Sequence, residues 1–90
     1  MYRLQLSEVA IEDLKSFNQA ERILIGKKLR YLSENFDELK KTKKVTELRG
    51  TSYRHYRFVI ARKIRAIFEI QNDELILLVL KIGRRKDIYK

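Results

Sequence analysis

Two arginines and a basic tail carry the chemistry open to this chain. Arg57 falls in an alternating run, Tyr53 to Ile60, where it shares a parity with His55. Arg65 falls in the next such run, at the parity opposite its apolar set. Antiparallel neighbours bring side chains of this kind within reach of one another. Two arginines side by side repel unless an anion joins them, so the pair suits a phosphate or an acidic peptide. The tail, Ile82-Gly83-Arg84-Arg85-Lys86-Asp87-Ile88-Tyr89-Lys90, follows the apolar run Leu75 to Leu80. Cations at a strand exit bind phosphate, and a nearby tyrosine stacks on a base or moves a proton. The plainer alternative is a solvated basic face and tail, and composition alone does not decide between the two.

Other chemistries find few residues. There is one histidine and no cysteine, and no carboxylate pair has ligand-like spacing, so neither a metal site nor a cofactor is expected. A Ser-His-Asp site would have to use His55, and no nucleophile elbow is present. Three glycines in the whole chain leave no glycine-rich phosphate loop. The formal charge of +9 over 90 residues points to an anionic partner, either nucleic acid or an acidic protein. No apolar run approaches the roughly 18 residues of a membrane span. Arg3, Glu8, Glu12 and Asp13 interrupt any signal-peptide pattern at the start. A cytoplasmic protein without membrane contact is the expectation.

The elements that must position these residues follow from periodicity. Tyr2 to Leu6 alternates like a half-buried strand. Ser7 reads as an N-cap for a helix running to about Phe17, with Ala10, Leu14 and Phe17 on one face. Asn18 with Glu21 reads as a capping box for a second helix. That helix carries Ile25, Leu29, Leu32 and Phe36 on one stripe, with Lys27, Lys28 and Arg30 away from it. Asp37 to Lys44 reads as a frayed helix end or an exposed loop with little to bury. Val45 to Leu48 is a short edge strand. Tyr53 to Ile60 and Ile64 to Ile70 are strands joined by the turn Ala61-Arg62-Lys63. Gln71 to Glu74 is a polar turn. Leu75 to Ile82 is apolar at both parities until Lys81, like a strand covered on two sides, and Gly83 is expected to break it. The prediction is a single α+β domain over residues 1–90: an N-terminal strand, a helical hairpin, then a three-stranded antiparallel meander.

Three patches within this order resemble the RelE branch of the RelE/ParE toxin superfamily, from toxin–antitoxin modules. The first is Tyr2 to Leu14, a strand, serine and helix start ending in Asp13-Leu14-Lys15. The second is Glu47-Leu48-Arg49-Gly50 followed by Tyr56-Arg57-Phe58. The third is Ile64-Arg65-Ala66-Ile67-Phe68-Glu69-Ile70 with Ile82-Gly83-Arg84-Arg85-Lys86-Asp87-Ile88-Tyr89. The likeness covers nearly the whole chain; only Phe36 to Val45 is unlike.

The resemblance implies a metal-independent, ribosome-dependent mRNA endoribonuclease that inhibits translation and is held inactive by a cognate antitoxin. The toxin–antitoxin complex would bind operator DNA through the antitoxin. By position, Arg57 corresponds to the basic residue that contacts the scissile phosphate and helps activate the 2′-hydroxyl. Arg65 corresponds to the arginine that stabilises the transition state's extra charge. Arg85 corresponds to the arginine near the leaving oxygen, and Tyr89 to the tyrosine that orients the nucleotide. Lys40, Lys41, Lys43, Lys44, Arg84 and Lys86 are the cations expected on ribosome and mRNA phosphates. Two departures leave the general base open. Val59 stands where the best-studied type has a second lysine, and the turn at Ala61-Arg62-Lys63 differs in length, so the register between Arg57 and Arg65 is open by one residue. His55 is the candidate to supply the base. The ParE branch shares the fold but inhibits DNA gyrase, and a catalytically inactive RNA- or antitoxin-binding relic is the third reading.

Overall fold

The structure is a computed structural model and describes residues 2–48, 55–71 and 76–84. The elements run β1 (Arg3–Leu6), α1 (Glu8–Lys15), α2 (Gln19–Leu39), β2 (Val45–Leu48), β3 (His55–Ala61), β4 (Ile64–Gln71) and β5 (Ile76–Arg84). The expected α+β order is present. The sheet has five strands in the order β1-β5-β4-β3-β2. It is mixed: β2 to β5 pair antiparallel in sequence, and β1 pairs parallel with β5.

Caps start both helices. Ser7 sits in extended conformation and its hydroxyl oxygen accepts the Ala10 N–H at 3.0 Å. Asn18 and Glu21 form the reciprocal capping box, with bonds of 2.8 and 3.1 Å. The first helix ends at Lys15, two residues short of the expectation, but Phe17 is buried all the same. The second helix carries the chain across the sheet. Its 21 residues span about 31 Å, against about 19 Å for the four spacings between edge strands β1 and β2.

Ile25, Leu29, Leu32 and Phe36 form the buried stripe of α2, and Ser33 and Leu39 extend it. Leu39 is buried within Asp37 to Lys44, a stretch expected to have little to bury. It follows Phe36 by three residues, so helical spacing keeps it on the same stripe. Asn35 leaves helical geometry (φ −129°, ψ 24°), and its side-chain amide donates to the Tyr31 carbonyl at 3.0 Å. The Phe36 ring meets Tyr2, Tyr56 and Phe68 edge-on at 5.5, 5.1 and 5.7 Å. Tyr56 and Phe68, directly opposed across β3 and β4, stack at 5.4 Å. Tyr56, Phe58 and Ile60 of β3 and Ile64, Ala66 and Phe68 of β4 complete the core face, at the expected parities.

Strand β5 departs from expectation twice. It runs through Gly83 to Arg84, because the ladder continues with Gly83 opposite Arg65 and Arg84 opposite Ile64. It is also covered by helices on one face only. Lys81 opposes Ile67 while Val79 opposes Phe68, so Leu80 is an extra, bulged residue. The bulge shifts the core parity from Leu77 and Val79 to Ile82, and Leu78 and Leu80 are only half-buried.

β1 ends before this point, so β5 needs other partners along its edge. The Ser7 N–H donates to the Val79 carbonyl at 2.9 Å, and the Ser7 hydroxyl donates to the Leu80 carbonyl at 3.0 Å. Asp13 Oδ2 accepts the N–H of buried Ile82 at 2.9 Å. Replacing Asp13 with alanine strands that N–H and should cost about 1–3 kcal/mol. Asp13→Asn keeps an oxygen acceptor and should cost less. Denaturant midpoints measure both, and an Asp13→Ala chain as stable as the wild type would show that the carboxylate does not hold the strand.

Candidate functional site

The helices cover one face of the sheet and leave the other to His55, Arg57 and Val59 of β3, Arg65, Ile67 and Glu69 of β4, and Lys81 of β5, all half-buried. Alternation puts those of β3 and β4 there, since each neighbours a core residue in its own strand.

Arg57 stands mid-face, between Thr46 of β2 and Ile67 of β4, and its Nη2 lies 3.4 Å from Thr46 Oγ1. Arg65 opposes Val59, two residues along β3 from Arg57. The register left open by the turn is thereby fixed: the two arginines share a face as diagonal neighbours, a relation that typically separates residues by about 7–8 Å. One phosphate can sit between them and take a guanidinium from each side. Arg65 is anchored through Nη1, which donates to the carbonyls of Ala61 (2.6 Å), Arg62 (2.9 Å) and Ile64 (3.2 Å). A guanidinium has five N–H donors, so the turn fixes its aim without using all of them. Val59 and Ile67 give this cationic face an apolar floor.

His55 lies at the other end of the same face. It opposes Glu69, with Nε2 at 3.7 Å from Oε1, while Gln71 Nε2 donates to Glu69 Oε2 at 3.1 Å. Four residues separate His55 from Val59, so about 13 Å of strand lies between the histidine and the arginine opposite Val59. The sheet does not bring His55 and Arg65 to one phosphate.

Lys81 is a further candidate on this face that the sequence reading missed. It opposes Ile67, so Thr46, Arg57, Ile67 and Lys81 form one row across four strands. Plain alternation from Leu77 and Val79 would send Lys81 into the core; the bulge at Leu80 turns it to the open face.

Lys40, Lys41, Lys43 and Lys44 are exposed in the turn after α2. Lys40 Nζ lies 5.8 Å from the Phe36 ring centre. The Lys44 carbonyl accepts the Val59 N–H at 2.9 Å, which ties this lysine turn to the position opposite Arg65. Arg84 belongs to the other face. Its Nη1 pairs with Glu21 at 3.2 Å, and its guanidinium lies 4.8 Å from the Phe17 ring centre. The Arg84 hydrogen bond, and then the Asn18 backbone N–H, hold the Glu21 carboxyl below its ordinary range. Arg85, Lys86 and Tyr89 lie outside the described residues. Among the described residues, no group of three or more His, Cys, Asp or Glu gathers as a metal site. No helix among them is long and apolar enough to cross a membrane.

Solved structures share this architecture. The archaeal RelE–RelB complex of Pyrococcus horikoshii aligns with a TM-score of 0.75 and 21% identity, over 96% of this chain and 97% of that one. The isolated RelE toxin of E. coli gives 0.71 and 20%, over 99% and 92%. A metal-bound toxin from Helicobacter pylori gives 0.73 and 18%, over 98% and 99%. Comparison with curated proteins finds no match. The fold is therefore that of the RelE/ParE toxins. The chain belongs to the family of ParE toxins of type II toxin–antitoxin systems, parDE, whose model matches residues 4–89.

Proposed function

We propose that this toxin cuts mRNA on the ribosome, without a metal, and so stops translation. The observation that carries the reading is the diagonal Arg57–Arg65 pair, with Lys81 beside it, on the helix-free face of the sheet. In this reading the 2′-hydroxyl of a bound nucleotide attacks the adjacent phosphate and loses its proton, and the 5′-oxygen leaves with a proton. The product strand ends in a 2′,3′-cyclic phosphate. Arg57 and Arg65 hold the phosphoryl oxygens as charge builds on them. The roles of Arg85 and Tyr89, which lie outside the described residues, at the leaving oxygen and the base rest on the family resemblance. His55, paired with Glu69, is too far along the strand to act on a phosphate held at Arg65, which leaves a nucleotide group or Tyr89 to move the proton. A cognate antitoxin is the second partner, as in the RelE–RelB complex that shares the fold. The pair would bind operator DNA through the antitoxin.

The family match supports a second reading, in which the chain inhibits DNA gyrase and cuts no RNA. Pulse labelling after induction separates the two in cells. Methionine incorporation should stop within minutes while DNA synthesis continues. Filamentation and DNA damage with translation intact would favour gyrase.

The lysine turn should carry part of ribosome binding. Each phosphate neutralised contributes about 0.7–0.9 to the slope of log K against log salt. Changing Lys40, Lys41, Lys43 and Lys44 together to glutamine should therefore flatten the slope by about two to three if most of them touch phosphate. An unchanged slope would assign the turn to solubility alone.

A further inference from the structure

Gly26 lies near the middle of α2, on its exposed side. Glycine is the weakest helix former after proline. Nothing inside the molecule requires it here, since a Cβ at this position would meet no atom within 4 Å. Gly26 instead floors a groove of about 510 Å³ between α2 and β1. Leu4, Ile23 and Tyr31 line that groove, and Ile23 and Tyr31 are 52% and 48% exposed. Arg22, Lys27, Arg30 and Glu34 complete its wall, so three cations face one carboxylate. This stripe is separate from the buried stripe of Ile25, Leu29 and Leu32, and none of its residues belongs to the open face of the sheet.

We propose that the groove seats an acidic amphipathic segment of the antitoxin, with its backbone or a small side chain lying against Gly26. The inference rests on the toxin–antitoxin reading and adds the place and the chemistry of contact. Apolar side chains of the segment would fill the space over Ile23 and Tyr31, and its carboxylates would meet Arg22, Lys27 and Arg30. The missing Cβ allows close approach of a partner, which explains a helix-weakening residue that internal packing does not need. A second copy of this chain fits poorly, because it would set like charges against each other. RNA would meet the cations but leave the exposed isoleucine without use.

The test pairs each toxin variant with the protein encoded by the adjacent reading frame. Gly26→Ala should raise the Tm of the free toxin by about 4–8 °C, because alanine favours the helix and nothing blocks it. Gly26→Trp should keep the wild-type circular dichroism and weaken antitoxin binding by about tenfold or more. Reversing Arg22, Lys27 and Arg30 together to glutamate removes no packed side chain and should weaken binding as strongly, with a flatter salt dependence. This variant decides the matter if the tryptophan disturbs the helix. Wild-type affinity in the charge-reversed toxin overturns the groove assignment. So does a Gly26→Trp toxin that loses ribosome binding but keeps its antitoxin, since the groove would then belong to RNA. An adjacent protein that fails to bind even the wild-type toxin overturns the antitoxin reading itself.

Discussion

Arg57→Ala and Arg65→Ala should each slow mRNA cleavage on programmed ribosomes by about two to three decades, equivalent to about 3–4 kcal/mol of transition-state stabilisation. The size follows from the chemistry. The phosphoryl group gains negative charge as the 2′-oxygen attacks, and a fixed guanidinium stabilises that charge without reorganising. The two variants should differ in stability. Arg57 sits mid-strand, with its Nη2 3.4 Å from Thr46 Oγ1 and away from the turn. Arg65 binds three turn carbonyls, so its loss should also loosen the β3–β4 turn. Arg65→Lys sharpens the test. An ammonium keeps the charge but lacks the planar fork, and it cannot cap the turn and cradle the phosphate together. Its rate should fall between those of the wild type and the alanine variant. Single-turnover rates with melting curves alongside measure this. A wild-type rate in either alanine variant would remove that arginine from the site.

Phe68→Ala should cost about 3–5 kcal/mol of stability. Phe68 is fully buried, stacks on Tyr56 and meets Phe36 edge-on, so its removal empties the junction of α2, β3 and β4. A domain of this size has about 5–15 kcal/mol in total, so much of the protein would be unfolded in warm cells. Denaturant unfolding at constant m-value measures the loss. A shift below about 1.5 kcal/mol would mean that the neighbouring rings collapse into the space, and that the cluster is less tightly interlocked than its geometry indicates.

Much of this arrangement was legible in the chain because single strands and helices announce their own periods. Ser7 and Asn18 name their caps, and the alternation around Tyr56 and Phe68 separates core from open face. That alternation already placed Arg57 and Arg65 on the same side. What escaped reading depends on long-range pairing. The parallel union of β1 with β5 joins the two ends of the chain, and no local pattern signals it. The bulge at Leu80 shows only as an over-long apolar run, so Lys81 was not placed with Arg57 and Arg65. Arg84 looked like part of one basic tail. Its parity opposite Ile64 sends it instead to Glu21 and Phe17, on the helix side. The kink at Asn35, where the side-chain amide donates to the Tyr31 carbonyl, interrupts a helical period that runs unbroken in the sequence.

The choice between nuclease and gyrase inhibitor turns on one measurement. Purified wild-type toxin is added to ribosomes carrying an mRNA with a defined codon in the A site, and the message is mapped by primer extension in the presence of EDTA at a level that leaves the ribosomes assembled. The expected result is a new 3′ end inside that codon, bearing a cyclic phosphate, and its absence with Arg57→Ala. Intact mRNA with the wild-type toxin, together with inhibition of gyrase supercoiling by the same preparation, would contradict the nuclease assignment.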